Sequence, residues 1–155
     1  MLQINKYIQE RLHINKDIKS YNYNYHPKTY NELKQLVNKL IEERGKYADL
    51  NDIDTSEITD MKSLFYRSKF NGDISNWDVS NVEDMCYMFC GASFTAKNGD
   101  LSNWDVSNVK DMEVMFYKSK FNGNLSKWDV SNVKNMKGIF DKSPLEKNPP
   151  KWYKE

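Results

Sequence analysis

The sequence is poor in cysteine, with only Cys86 and Cys90 among its 155 residues. Two thiols four residues apart cannot form the disulfide framework of a small secreted domain, so that class is excluded. Free thiols are more typical of a reducing compartment than of an oxidising one. We therefore expect a cytoplasmic protein, and a cell-surface location only if a leader has been removed.

Neither sign of charge dominates, because 23 basic and 22 acidic residues leave a net charge of +1. This balance argues against direct nucleic-acid binding through an overall basic surface. No apolar run approaches the length of a membrane span, and Met1–Glu10 lacks the apolar centre of a signal peptide. The aromatic content of 14% favours a folded chain over a disordered one.

Large apolar residues recur at nearly constant steps over most of the chain. Successive tryptophans are 27, 24 and 24 residues apart, and the phenylalanines and methionines keep the same step. The positions are Trp77, Trp104, Trp128 and Trp152; Phe65, Phe89, Phe116 and Phe140; Phe70, Phe94 and Phe121, with Leu145 in the fourth place; and Met61, Met85, Met112 and Met136. The period indicates stacked repeats, since one unit this short cannot bury its own apolar face.

The repeats divide into four units, 50–72, 73–99, 100–123 and 124–147, with a fifth cut short at Trp152. Units two to four contain NWDVSNV or KWDVSNV, and every unit has a methionine followed by a phenylalanine and then by a second phenylalanine or, in unit four, by Leu145. The spacing of tryptophan and valine predicts a strand, and the later i, i+3, i+4 spacing of apolar residues predicts one turn of α-helix or 3-10 helix. The sequence thus predicts an α+β repeat fold: a leucine-rich-repeat-like solenoid of about four 24-residue units, occupying 50–155.

Residues 1–49 carry no repeat and are predicted to form a helical N-terminal cap that is not an independent domain. Thr29 is predicted to be the N-cap of a helix, with Glu32 completing a capping box and Gly45 ending the helix. A stripe of apolar side chains would cover the first repeat; the stripe is Tyr30, Leu33, Val37, Leu40 and Ile41. An earlier helix on Ile4, Tyr7, Ile8 and Leu12 and a strand over Tyr21–Tyr25 are also predicted.

The segment FNGDISNWDVSNVEDMCYMF at 70–89 resembles the repeat of the BspA-like bacterial surface-protein family. LSNWDVSNVKDMEVMF at 101–116 and LSKWDVSNVKNMKGIF at 125–140 are similarly close, and the chain resembles a small stand-alone member. The resemblance implies a solenoid that binds other macromolecules, often at a cell surface, and it supplies no catalytic residues.

The repeated polar residues have both a functional and a structural interpretation. Asp78, Asp105 and Asp129 could form a calcium ladder, but one carboxylate per unit is far short of the six or more oxygens that calcium takes. We therefore expect these aspartates, and Asn81 with its equivalents Asn108 and Asn132, to accept or donate hydrogen bonds at backbone corners. We likewise expect the tryptophans in the core and not on an exposed stacking platform.

The cysteines give no convincing site. Cys86 and Cys90 with His13 and His26 match no usual zinc spacing, and nothing in the sequence activates either thiol. We predict no catalytic residue, no metal and no cofactor, and hence no enzyme.

Residues that depart from the repeat pattern are the better candidates for binding a partner. Unit two differs most, at Cys86, Tyr87 and the insertion containing Thr95 and Lys97. Stacking would also gather a basic edge, consisting of Arg67, Lys69, Lys118, Lys120 and Lys142. These residues predict a protein–protein interaction module whose partner is a protein, either alone or within a nucleoprotein complex. The alternatives are a phage-type inhibitor that docks on a nucleoprotein defence enzyme, as an anti-CRISPR protein does, and a cell-surface adhesin fragment.

Overall fold

The computed structural model describes residues 22–154, so the helix predicted on Ile4 to Leu12 lies outside the described residues. Within 22–154 the chain forms one α-helix, α1 (Tyr30–Arg44), and one 3-10 turn at Pro144–Glu146. The remainder consists of hydrogen-bonded turns joined by single-residue bridges, bends and irregular backbone.

Helix α1 follows the capping signals of its sequence. The Thr29 hydroxyl oxygen accepts the N–H of Glu32 at 3.2 Å, and the N–H of Gly45 donates to the carbonyl of Ile41 at 2.8 Å. Gly45 has a φ of 88°, which glycine adopts without the strain a side chain would add. The fully buried stripe consists of Leu33, Val37 and Leu40. The predicted cap helix is thereby confirmed, and its stripe belongs to the same hydrophobic core as the repeats.

The prediction of an α+β, leucine-rich-repeat-like solenoid is wrong. In residues 22–154 there is no strand and no sheet, only single-residue parallel bridges such as Asp60 with Asp84 and Asp84 with Asp111. The alternation of Trp77 and Val79 suggested a strand, but the carboxylate between them accepts the N–H of Ser80 and closes a turn. Likewise, the strand predicted over Tyr21–Tyr25 is reduced, in its described part, to one bridge at Tyr25.

The predicted helical turn after each methionine is also wrong, because alternate peptide groups bond in different directions. The N–H of Leu64 donates to Met61 within its own unit at 3.2 Å, whereas the N–H of Ser63 donates to Cys86 of the next unit at 3.0 Å. A regular helix is prevented because Tyr87, the equivalent of Ser63, has a φ of 59°. In units one to three these backbone donors are satisfied even though no sheet forms.

Four hydrogen bonds like that of Ser63, from a backbone N–H to a carbonyl of the next unit, join each unit to the one that follows it. Their N···O distances are 2.8 to 3.0 Å. We call this set the ladder. Its donors are Met61, Ser63, Phe65 and Arg67; Met85, Tyr87, Phe89 and Gly91; and Met112, Val114, Phe116 and Lys118. In every case the earlier unit donates the N–H and the later unit supplies the carbonyl.

The core is built around stacked phenylalanine rings. Ring centroids lie 5.5 Å apart between Phe65 and Phe89 and again between Phe89 and Phe116, with nearly parallel planes. All seven phenylalanines are at most 1% exposed. Trp77, Trp104 and Trp128 are 4% exposed, and each indole N–H donates to a carbonyl of the preceding unit. The prediction that the tryptophans are core residues is confirmed for these three.

Candidate functional site

Outside the core, one side of the stack carries exposed tyrosines next to basic side chains. We call it the tyrosine–cation face, and it consists of Tyr66, Arg67, Tyr87, Tyr117, Lys118 and Lys142. Every member except Tyr66 and Tyr117 has a positive φ and so lies at a recurring bend of the unit.

The centre of this face is the pair Tyr66 and Tyr87. Their side chains are 43% and 38% exposed, and the rings meet edge to face with centroids 6.4 Å apart. The Arg67 guanidinium carbon lies 5.1 Å from the centroid of the Tyr66 ring. An arginine at this distance is attracted to the negative face of the ring, and the contact limits the motion of both side chains.

A second aromatic–basic cluster lies further along the stack. Tyr117 is flanked by two ammonium groups, with Lys118 Nζ at 5.3 Å and Lys142 Nζ at 5.7 Å from its centroid. Gly91 occupies the place of Arg67, Lys118 and Lys142 in unit two. A Cβ atom on Gly91 would lie 3.2 Å from Cγ of Arg67, so the glycine leaves room for the arginine stem across unit two.

The backbone fixes the direction of these side chains. Ser63, Tyr87 and Val114 occupy equivalent positions with φ of 58°, 59° and 45°, and Arg67 and Lys118 both have a φ of 52°. Non-glycine residues rarely adopt this conformation, and a β-branched valine does so least readily. Because it recurs in each unit and aims an N–H at the next, the unusual conformation is a property of the repeat, and the face inherits its rigidity.

The remaining residues predicted to bind a partner lie elsewhere or are covered. Lys69 and Lys120 are exposed, two residues beyond the left-handed Arg67 and Lys118. Thr95 is half-buried because its N–H and hydroxyl both donate to the side chain of Asn71. The exposed Lys97 follows it, with its N–H bonded to the Thr95 hydroxyl. The insertion is therefore an ordered extension of unit two.

Cys86 is only 4% exposed and points into a small acidic cluster with Asp84 and Asp111. The ligand atoms of the three lie within 4.8 Å of one another, the separation a bound cation would need. However, burial first, and then the hydrogen bond and charge of Asp84, raise the pKa of the Cys86 thiol to about 12. A protonated thiol is a poor metal ligand and a poor nucleophile. Burial also raises the pKa of the Cys90 thiol.

Within residues 22–154, the histidines and cysteines considered as zinc ligands do not come together in one site. His13 lies outside them, and the His26 ring nitrogen lies 3.3 Å from a carboxylate oxygen of Asp54. Cys86 and Cys90 are both free thiols.

The repeated aspartates and asparagines serve the backbone, as predicted. Asp105 accepts the N–H of Ser107 at 3.0 Å and its hydroxyl at 2.6 Å. The amide of Asn108 donates to the carbonyl of Ser80, one unit earlier, at 2.6 Å. The same two bonds to the backbone recur around Asp78 with Asn81 and around Asp129 with Asn132. These residues are structural, which explains why they repeat.

The fold and this face define a class: a stack of short, aromatic-cored repeats closed at one end by a helix. A family model described as a Mycoplasma protein of unknown function, DUF285, matches residues 31–152, and the chain belongs to this family. No curated protein and no solved structure matches the chain. None of the helices in 22–154 has the length and apolar character needed to cross a bilayer.

Proposed function

We propose that the protein is a non-enzymatic binding module that recognises a partner protein through the tyrosine–cation face. The observation that carries this proposal is the pair of adjacent exposed rings, Tyr66 and Tyr87, with Arg67 stacked on one of them. Tyrosine and arginine are over-represented among the residues that dominate the energy of protein interfaces.

Preorganisation supports the same proposal. The ladder holds the backbone at Arg67 and at Tyr87, with N···O distances of 2.9 and 3.0 Å at the two donors. A partner that binds here need not order a flexible loop, so less of the interaction energy is lost on binding. The flanking Lys118 and Lys142 favour a partner surface that is acidic around an apolar centre.

The experiment is an affinity purification from host lysate with the intact chain and the double variant Tyr66→Ala/Tyr87→Ala. We expect recovery of the partner to fall at least about tenfold, since paired aromatic anchors commonly contribute more than 1 kcal/mol each. Tyr47→Ala is the matched control, because Tyr47 is 63% exposed and also carries a lysine over its ring, Lys46 at 5.1 Å, but lies outside the face.

Two further measurements distinguish between the classes of partner. Nuclease treatment tests whether the partner must be assembled on nucleic acid, as in the nucleoprotein alternative. Reversing Lys118 and Lys142 to Glu should weaken capture of an acidic partner and reduce its dependence on salt. Equal recovery with the double variant and the intact chain, both folded by circular dichroism, would refute the proposal.

A further inference from the structure

The ladder ends without a partner at the last unit. In units one to three its donors bond to the following unit, but the equivalent N–H groups of unit four meet no acceptor anywhere in residues 22–154. They belong to Met136, Gly138, Phe140 and Lys142. Gly138 and Lys142 keep the left-handed φ of 64° and 58° that aims a ladder donor outward.

This edge has a fixed polarity. Each ladder bond runs from an N–H to a carbonyl of the next unit, so the peptide dipoles point the same way. An open strand edge presents donors and acceptors alternately, whereas the ladder row of unit four presents donors alone. The row therefore attracts carbonyl or carboxylate oxygens.

The apolar surface beside this row is also incompletely covered. Val106, Val109 and Met112 are at most 1% exposed in unit three. Their equivalents in unit four, Val130, Val133 and Met136, are only partly buried.

The C-terminal tail covers the other half of this surface. The Trp152 indole N–H donates to the carbonyl of Leu125 at 2.7 Å, and the ring lies 5.8 Å from that of Phe140. Tyr153 packs edge-on against Phe140 at 5.3 Å. The tail thus fills the tryptophan place of a further unit and leaves the donors at Met136, Gly138 and Lys142 uncovered.

The charge of the repeat changes at this end. Where unit two has Asp73, Glu83 and Asp84, unit four has Asn124, Lys134 and Asn135. Lys134, Lys137 and Lys142 are exposed beside the open row, where the acidic residue is Asp141.

We propose that this end of the stack binds an extended, acidic segment of a partner protein. Main-chain carbonyls of the segment accept the N–H groups of Met136, Gly138 and Lys142, apolar side chains cover Val130 and Val133, and carboxylates face the lysines. Main-chain hydrogen bonds supply the affinity when an extended segment adds to a sheet edge, and at this donor-only row the segment contributes its carbonyls alone. This surface does not depend on Tyr66 or Tyr87.

A second copy of the chain would fit this end of the stack less well than an acidic segment does. Two open rows facing each other would place donors against donors. A head-to-tail arrangement would need the carbonyl end of another copy, where α1 packs and Lys34 Nζ already donates to the carbonyl of Leu64 at 2.6 Å.

The test is an NMR titration of the intact, ¹⁵N-labelled chain with a blocked hexapeptide of alternating glutamate and valine. We expect saturable shifts and at least about tenfold slower hydrogen exchange at the amides of Met136, Gly138 and Lys142. The matched controls are internal: Met112, Val114 and Lys118, whose N–H groups are already bonded at 2.8 to 3.0 Å, should not change.

Variants and alternative probes complete the experiment. The double variant Lys134→Glu/Lys137→Glu should weaken binding about tenfold or more, whereas Lys39→Glu, on α1 at the opposite end, should not. Unchanged amides in unit four would overturn the proposal. So would shifts that depend on protein concentration alone, which indicate self-association, or stronger shifts with a single-stranded oligonucleotide. Tyr66→Ala/Tyr87→Ala retains peptide binding, so this proposal and the tyrosine–cation face fail independently.

Discussion

The two ends of the stack differ in how completely they are closed. At the first unit, α1 lays Leu33, Val37 and Leu40 against the core, and Lys34 satisfies one of the outward carbonyls. At the last unit, the indole N–H of Trp152 in the short tail donates a hydrogen bond, and the rings of Trp152 and Tyr153 contact Phe140. The first end is thus closed by a helix, whereas the second end keeps the backbone N–H donors of an interior unit.

This contrast shows that position in the stack, and not residue type, decides the environment of a side chain. Met112 is fully buried, whereas Met136, in the same place of the next unit, is partly exposed. Equivalent substitutions in different units are therefore expected to have different costs, and these costs measure how far each end is closed.

The largest expected difference is between two tryptophans. Trp104→Ala should lower the free energy of unfolding by about 3–5 kcal/mol, because a buried ring is lost and the carbonyl of Ile74 loses its donor. Trp152→Ala should cost roughly half as much, since that ring is only partly buried. Urea denaturation of both variants gives the comparison, and equal losses would mean that the tail closes its end fully.

The methionines give the next largest difference. Met112→Ala should cost about 2–5 kcal/mol through the cavity it leaves, and Met136→Ala about 1 kcal/mol, because less apolar area returns to water. The same denaturation series measures both. A cost at Met136 as large as at Met112 would show that this end is covered in solution.

A smaller effect is expected at the start of α1. Thr29→Ala removes the hydroxyl that accepts the N–H of Glu32 and should cost about 1 kcal/mol. Asn31→Ala, at an exposed position of the first turn, is the control and should change the stability little. Thermal unfolding followed at 222 nm distinguishes them; equal effects would mean that the cap does not stabilise the closed end.

The smallest effect is a pH dependence at Lys34. Burial lowers the pKa of this ammonium from its ordinary value of 10.5. Since the folded protein loses the proton at a lower pH than the unfolded chain, the contribution of Lys34 to stability rises as the pH increases through the folded pKa. The free energy of unfolding of the intact chain minus that of Lys34→Met should thus be more positive near pH 10 than near pH 8. Lys39→Met, on the exposed face of α1, serves as the control, and a pH-independent difference would contradict the burial of Lys34.

The sequence was sufficient to predict the repeat, its core and the cap helix. The burial of Trp104 and Phe89 follows from the period that the tryptophans, phenylalanines and methionines share, and Thr29 with Gly45 bounds α1 by local capping chemistry. The roles of Asp105 and Asn108 were predictable because repetition of a polar residue at a corner favours a backbone role.

The turn conformation of the repeats and the members of the tyrosine–cation face were harder to predict, for a shared reason. Spacing reports which side chains are buried, and it does not report the sign of φ, which at Tyr87 and Arg67 turns the backbone out of a strand or helix. Cys86 differs from its equivalents in the repeat, yet it is buried beside Asp84. Tyr66 was overlooked because tyrosine recurs at Tyr117, although its exposure and its contact with Tyr87 make it central to the tyrosine–cation face.

Because unit four has a ladder row on one side only, the structure also predicts how the chain should unfold under mechanical force. Interior units are held by rows of hydrogen bonds on two sides, while unit four is held by a ladder row on one side only. A chain pulled from its C-terminus should therefore peel from that end, one unit after another. Each step would release about 24 residues, roughly 80 Å of extended chain. The fold would behave as a tether that lengthens in nearly equal increments, the step of unit two being three residues longer.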